Sequence, residues 1–199
     1  MSKTVSVRYL RVSQVPGKRR ARKSFIEKGD AMQAKKVSES RTVKAMLVLP
    51  PDSNALGTMF GGMVMKYIDD IASISAFRHA RCQVVTASTD SVDFLCPIKV
   101  GQMICLESFV TWTHKTSMEI YVSIVSENLK SGERRVCATS FLTFVAIDEN
   151  GRTLEVPPVE PVSEFEQELH RSAPGRFERR LERKTHSKML AGKYNVRRV

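Results

Sequence analysis

Between residues 42 and 160 the apolar positions follow a strict order of periods. Thr42 to Leu49 (TVKAMLVL) reads as a strand. Pro50-Pro51-Asp52-Ser53-Asn54 breaks it, and a glycine-rich loop runs from Gly57 to Gly62. From about Gly61 to about His79, Val64, Ile68, Ile71, Ala72, Ser75 and Ala76 fall at steps of three and four, which predicts a helix. Met63, Met65, Ile74 and Phe77 make its other faces apolar as well, so the helix should be wrapped by other structure. Gln83 to Ser88 and Ser91 to Phe94 read as one broken strand, and Pro97 and Gly101 mark a turn. Strands follow over Gln102 to Thr113, Met118 to Asn128 and Arg135 to Ile147. They are separated by His114-Lys115-Thr116-Ser117 and the hairpin turn Lys130-Ser131-Gly132-Glu133, and Asp148-Glu149-Asn150-Gly151 closes the set. One long helix between a first strand and an antiparallel run of four predicts an α+β unit, a sheet curled around a central helix. The alternation Leu106, Ser108, Val110, Trp112 and Met118, Ile120, Val122, Ile124 suits a sheet with one buried face.

The flanks differ. Residues 1–40 are basic, poor in apolar positions and without a period, and read as a mobile arm before a 41–160 domain. Residues 161–199 read as a basic, polar tail with a short helix over Glu164 to His170 and another segment over Arg176 to Lys184, both solvated. The arm, with Lys18-Arg19-Arg20-Ala21-Arg22-Lys23, fits an organellar transit peptide, or a start misassigned ahead of Met32, as well as an arm.

Length and charge narrow the picture. At 199 residues and 42% hydrophobic, the chain is expected to bury one core and not two. The net charge of +11 divides into +10 over residues 1–44, −4 over 45–161 and +5 over 162–199. The central block is therefore mildly acidic, and nucleic acid is not an expected partner of it. No apolar run of about 18 residues exists, so no membrane span is expected. There is no apolar stretch of a secretory signal. Cys82, Cys96, Cys105 and Cys137 are spread apart, which argues against a zinc site and a disulfide framework; reduced thiols in a cytoplasmic protein are expected.

The segment before and within the helix carries the candidate chemistry. Gly61 and Gly62 open the helix, where unpaired N–H groups and a partial positive charge suit a developing oxyanion; tight loop packing explains the same pair equally well. Asp69 lies two turns into the helix among Ile68, Ile71 and Ala72, where a carboxylate is costly unless paired or functional. It suits a base or a nucleophile, and the alternative is that Asp69 or Asp70 merely meets solvent at a helix edge. Asn54 either forms an Asx turn or holds a water or carbonyl by hydrogen bonds. His79, at the helix end, is expected to serve terminal carbonyls and not catalysis.

Taken in order, Asp52-Ser53-Asn54-x-x-Gly57-x-x-x-Gly61-Gly62 followed by Asp69-Asp70 resembles the signature of hot-dog-fold acyl-CoA thioesterases, in the acyl-CoA hydrolase branch. Ala76-x-Arg78-His79, Val84-Val85-Thr86-Ala87, Asp93-Phe94-x-x-Pro97-Ile98-x-Val100-Gly101, Lys115-Thr116-Ser117-Met118-Glu119 and Phe144-Val145-Ala146-x-Asp148-x-x-Gly151-Arg152 continue it over roughly residues 42–160. The resemblance implies a hot-dog fold, a long helix wrapped by a curved antiparallel sheet, paired edge to edge as a homodimer and assembled further as a trimer of dimers. It implies hydrolysis of fatty acyl-CoA between two subunits, with Asn54 of one facing Asp69 of the other and the thioester oxygen near Gly61 and Gly62. Asp69 would activate water or attack directly. Ser91, Val92, Asp93 and Phe94 would line the pantetheine path, and His114, Lys115, Thr116 and Ser117 would approach the nucleotide; a solvated hairpin tip is the plainer reading of the latter. No cofactor or metal is implied, coenzyme A being product and ligand. Two other functions compete. A non-catalytic acyl-CoA-binding regulator would not need Asp69, and a dehydratase would want a histidine in the Asn54–Asp69 segment, which has none.

Overall fold

The computed structural model describes residues 32–194. Five antiparallel strands form one sheet in the order β2-β4-β5-β6-β3. They are β2 (Thr42–Leu47), β3 (Gln83–Phe94), β4 (Met103–His114), β5 (Ser117–Glu127) and β6 (Arg134–Ile147). Between β2 and β3 runs α2 (Gly61–Ala80), which touches all five strands. Its buried face is Val64, Tyr67, Ile68, Ile71, Ala72, Ser75, Ala76 and His79, the stripe predicted from the helical steps with Tyr67 and His79 added. Ile104, Leu106, Ile120, Val122, Ile124 and Leu142 complete the core from the sheet. Ser75 and His79 are the fully buried polar members of that stripe, and Ser75 is paired within the core. Its hydroxyl lies 2.6 Å from that of Ser108 and donates to Thr42 Oγ1 at 3.0 Å, so its burial leaves no unpaired group. Beyond Ala80 the chain reverses through Arg81 at φ 57, and the Arg81 N–H caps the Phe77 carbonyl.

The wrapping expected of α2 is half made within one chain. The sheet covers one face, while Met65, Ile74 and Phe77 stay about half exposed on the other. The strand expected to be broken between Ser88 and Ser91 is continuous: β3 keeps its pairing with β6 through two register shifts, at Thr86/Ser88 and Thr89/Ser91. Bulges of this kind interrupt the alternation without ending the strand.

The C-terminal segment corrects the sequence reading. Instead of two short solvated stretches, α3 (Glu164–Lys193) is one helix of 30 residues that runs through Pro174. Ser163 and Glu166 form a capping box at its start. Around the proline, Ser172 and Arg176 side chains donate to the carbonyls of Glu168 and Leu169. The helix also lies on the sheet. Ser108, which meets α2, pairs with Val122, whereas the β5 residues of opposite parity, Tyr121 and Glu119, meet Phe165 and Arg176 of α3. The helix therefore covers the outer face, crossing from Thr111 of β4 to Asp90 of β3. Buried Leu169 and Ala173, together with long-range ion pairs, hold it there.

Two further expectations change. Residues 35–40, read as part of the arm, contain β1 (Lys35–Lys36), which pairs in parallel with β7 (Val159–Glu160), and α1 (Val37–Ser40) with Val37 and Ser40 fully buried. Arg41 then links Glu107 of β4 to Glu166 of α3. The arm's residues 1–31 lie outside the described residues. Cys96 and Cys137, expected as free thiols, are joined as a disulfide with Cα atoms 4.6 Å apart. Phe94 of β3 pairs with Ala138 of β6, so the two segments run side by side there, a closeness that a sequence separation of 41 conceals. Among the described residues no helix is long and apolar enough to cross a membrane.

Candidate active site

Asp69 projects from the middle of α2 towards the edge strand β3. Thr86 Oγ1 donates to Asp69 Oδ1 at 2.8 Å. That bond fixes one carboxylate oxygen and leaves the other open. Asp70, one position on, is turned away and pairs with Lys66 at 2.8 Å, the solvent-edge role that was the plainer reading of an Asp-Asp pair. Thr86 sits on the strand with no sheet neighbour on its far side, and Val85, Thr86 and Ala87 are exposed. The acid therefore stands at an open border of the molecule.

The glycine pair lies at the other end of the same helix. Gly61 and Gly62 are the first two residues of α2, after Phe60. The first accepted helical bonds come from Met63 and Val64 to the Phe60 carbonyl, so the two glycine N–H groups have no acceptor among the described residues. A Cβ on Gly61 would stand 3.7 Å from the Phe94 ring, and one on Gly62 would run into Phe60 at 2.5 Å. The Gly61 contact is an ordinary one, so only at Gly62 would a side chain displace a neighbour, the Phe60 ring. In front of the helix tip is a cleft of about 380 Å³ lined by Thr58, Met59, Gly61, Val64, Phe94, Leu95, Cys96, Pro97 and Ile98. Its lining is mostly apolar, with a positive helix tip at one wall.

Within one chain the acid and the helix tip stand apart. Eight residues of helix separate Gly61 from Asp69, about 12 Å at 1.5 Å per residue. One carbonyl cannot touch both. Asn54 is occupied inside its own loop. Its Oδ1 accepts from the Leu56 N–H at 2.9 Å and the Thr58 N–H at 3.3 Å, and its Nδ2 donates to Thr58 Oγ1 at 3.0 Å. That is the Asx turn anticipated as its structural role, and it fixes the side chain at the border of the cleft. Near the loop, the Tyr67 hydroxyl donates to Asp52 Oδ1 at 3.4 Å. Burial, then the Asp52 charge, pushes that phenol's pKa up, so it stays a donor.

The remaining candidates fall in two places. Ser91, Val92, Asp93 and Phe94 form the end of β3, and of these only Phe94 lines the cleft. The Ser91 carbonyl is taken by Ser140 Oγ at 2.6 Å. His114 ends β4, Lys115 and Thr116 form the turn, and Ser117 opens β5. Lys115 has a φ of 45° and an exposed side chain. His114 stacks on Trp112 and lies 4.8 Å from the Phe177 ring of α3. His79 is fully buried, with Nε2 at 2.8 Å from the Pro157 carbonyl, and so is remote from any open acid. In the sequence Thr86 carries no signal beyond its place in Val84-Val85-Thr86-Ala87. Its role emerges from a contact spanning 17 positions between helix and strand, which no local pattern reports.

The match to known proteins is consistent across three comparisons. The family model "Thioesterase superfamily" matches residues 56–133. An uncharacterized acyl-CoA thioester hydrolase of Bacillus subtilis is 54% identical over 153 residues, which is 77% of this chain and 89% of that protein. The human cytosolic acyl coenzyme A thioester hydrolase is 35% identical over 143 residues, 71% of this chain, and the chain spans only 38% of that protein's length. Among solved structures, an apo-hexameric acyl-CoA thioesterase is 52% identical with a TM-score of 0.75, covering 77% of this chain and 98% of that one. An acyl-CoA hydrolase of Staphylococcus aureus, solved with butyryl coenzyme A, coenzyme A and coenzyme A disulfide, is 43% identical with a TM-score of 0.78, covering 80% and 98%. Alanine variants of that enzyme at an asparagine, an aspartate and a threonine have also been solved. Their positions are spaced by 15 and 17 residues, as are Asn54, Asp69 and Thr86.

Proposed function

The chain belongs to the thioesterase superfamily, and from that premise we propose that it hydrolyses acyl-coenzyme A to free acid and coenzyme A at a site built by two copies. The observation that carries this reading is the Asp69 carboxylate, held by Thr86 at an open strand edge, about 12 Å along α2 from its own unpaired helix tip. A second copy resolves the separation. Pairing along β3 covers the exposed edge and the apolar side of α2, and brings the partner's glycine tip and asparagine loop to Asp69.

At that junction the thioester oxygen lies against the N–H groups of Gly61 and Gly62, which stabilise the oxyanion as it forms. Asn54 presents its amide to the water or carbonyl. Asp69 either takes a proton from water as it adds to the carbonyl, or adds itself to give a mixed anhydride that water then opens. In both routes the carbon–sulfur bond breaks and the thiolate leaves to be protonated. The apolar cleft beyond Met59, Val64 and Ile98 receives acyl carbon. Ser91 to Phe94 flank the pantetheine arm. His114 to Ser117 lie towards the nucleotide, where Lys115 supplies charge and Thr116 and Ser117 supply hydroxyls. Three such dimers form the full assembly. No metal or cofactor takes part. A cytoplasmic setting belongs to the same proposal, and there Cys96 and Cys137 would stand as a dithiol.

The test is a thiol-release assay across acyl-CoA chain lengths, beside Asp69→Ala with its oligomer checked by size exclusion. The wild type should turn over, and the variant should lose most turnover while keeping its assembly. Full activity in the variant would refute the assignment of Asp69. Tight coenzyme A binding without thiol release by the wild type would instead mark a regulator.

A further inference from the structure

We propose that Cys96 and Cys137 form a thiol–disulfide exchange site, entered through Cys96, whose oxidation pins the wall of the acyl cleft. Its effect on substrate rests on the hydrolase reading, while the exchange itself stands on the pair alone. Cys137 lies in β6 and is 1% exposed; Cys96 follows β3 and is half-buried. Their Cα atoms, 4.6 Å apart, lie within the span of a disulfide. Backbone bonds hold the two residues together independently of the sulfurs. The Leu95 and Cys96 N–H groups donate to the Cys137 carbonyl at 2.8 and 3.4 Å, and Phe94 pairs with Ala138. The thiols therefore stay within reach of each other when reduced, as a reversible pair requires.

The two sulfurs meet different surroundings. Cys137 Sγ is 3.1 Å from Ser126 Oγ in the interior. Cys96 borders two hollows. One is the cleft before the Gly61 tip, to which Phe94, Leu95, Cys96, Pro97 and Ile98 contribute one continuous wall. The other is a polar depression of about 330 Å³ lined by Lys99, Gln102, Ser126, Asn128 and Arg135 among others. Its lining comes from the ends of β4, β5 and β6 and the loops beside them, so pairing two copies along β3 leaves it open. There Arg135 is paired with Glu133, and exposed Lys99 supplies charge for a carboxylate-bearing thiol or disulfide. In the oxidising direction the Cys96 thiolate attacks one sulfur of a low-molecular-weight disulfide, whose S–S bond breaks, and the first thiol leaves with a proton. Cys137, deprotonated, then attacks Cys96 Sγ and releases the second thiol. The pair gives up two electrons and two protons, and the small disulfide becomes two thiols. Excess thiol runs the steps backwards. The closed bond ties residues 94–98 to β6; opened, it leaves that wall its backbone bonds alone. A wall fixed beforehand costs less to order around a bound chain, so oxidation tightens binding of acyl groups that fill the cleft.

The experiment equilibrates the full chain in glutathione buffers from reducing to oxidising, quenches with acid, alkylates, and maps the cysteines by mass spectrometry. Free-acid release from acetyl-CoA and octanoyl-CoA is followed in the same buffers. Cys96 and Cys137 should convert together between dithiol and disulfide, while Cys82 and Cys105 remain outside the pair. KM for octanoyl-CoA should be about fivefold lower in the oxidised form, and KM for acetyl-CoA should change by less than about twofold. In oxidising buffer Cys137→Ser should carry one glutathione on Cys96. Cys96→Ser should carry none on buried Cys137, and its KM should not respond to the buffer. A pair that stays dithiol or stays disulfide throughout, glutathione on Cys137 but not on Cys96, or one octanoyl-CoA KM in both states overturns the proposal. Absence of hydrolysis in every buffer would overturn the hydrolase reading and the cleft effect with it, and the mass map would still decide the exchange.

Discussion

Replacing Thr86 by valine removes one hydroxyl and leaves the shape of the side chain almost unchanged. In the structure that hydroxyl makes a single bond of consequence, to Asp69 Oδ1 at 2.8 Å. A hydrogen bond to a charged acceptor is worth about 1.5–3 kcal/mol, and exposure of the edge strand favours the lower end. Taking about 1.5 kcal/mol as lost from the orientation of Asp69 in the transition state gives a fall of about tenfold in kcat. KM should move little, because the bond reaches the acid and not the bound acyl chain. Stability should change by less than about 0.5 kcal/mol, since Thr86 has no core contact. Steady-state thiol release measures the first two quantities and thermal melting the third. Thr86→Ser keeps the donor and should keep most of the rate. In an Asp69→Ala background the valine change should cost nothing further, because the group it positions is gone. Full activity in Thr86→Val, or equal losses with and without Asp69, would refute the idea that this bond holds the reacting carboxylate.

Other consequences follow from burial and charge. Arg176→Ala would leave the Glu119 side chain, 2% exposed, with only the Thr111 hydroxyl at 2.7 Å, and should cost about 3–5 kcal/mol in denaturant unfolding. Glu119→Gln with Arg176→Met should cost clearly less. Burial, the largest influence on His79, pushes its imidazole below the usual 6.5 against the pull of the Pro157 carbonyl. The folded form therefore stays neutral where the unfolded chain takes up a proton, so stability should hold above pH 6.5 and fall as pH drops below it. Melting temperature against pH tests this, and His79→Gln should flatten the profile. Deleting residues 1–31, which precede the buried Val37, should leave turnover nearly unchanged; a large loss would mean that the segment helps build the site.

Local periodicity made most of the fold legible. The three- and four-residue steps of Val64, Ile68, Ile71 and Ala72 located α2, and the alternation of β4 and β5 located the sheet, because one buried face repeats the signal. What escaped depends on distant partners. β3 looked broken because two bulges shift its parity, although β6 keeps it paired. α3 looked like two pieces because Pro174 and Gly175 punctuate it, while its anchors, Glu119 and Asp90, are 57 and 93 residues away. The Cys96–Cys137 pair was hidden in the same way. At the candidate site, Asn54, Gly61, Gly62 and Asp69 stood out through an ordered motif. Thr86 carried no local cue, since only the packing of α2 on β3 sets its hydroxyl beside the acid.

Mixing two disabled chains tests the two-copy site most directly. Asp69→Ala and Asn54→Ala chains, each nearly inactive alone, are co-refolded in equal amounts so that dimers form at random. Half the dimers are then mixed, and one of the two sites in each carries both native residues. Thiol release should recover to about one quarter of the wild-type rate. A mixture no more active than its separate components would contradict a site shared across the dimer.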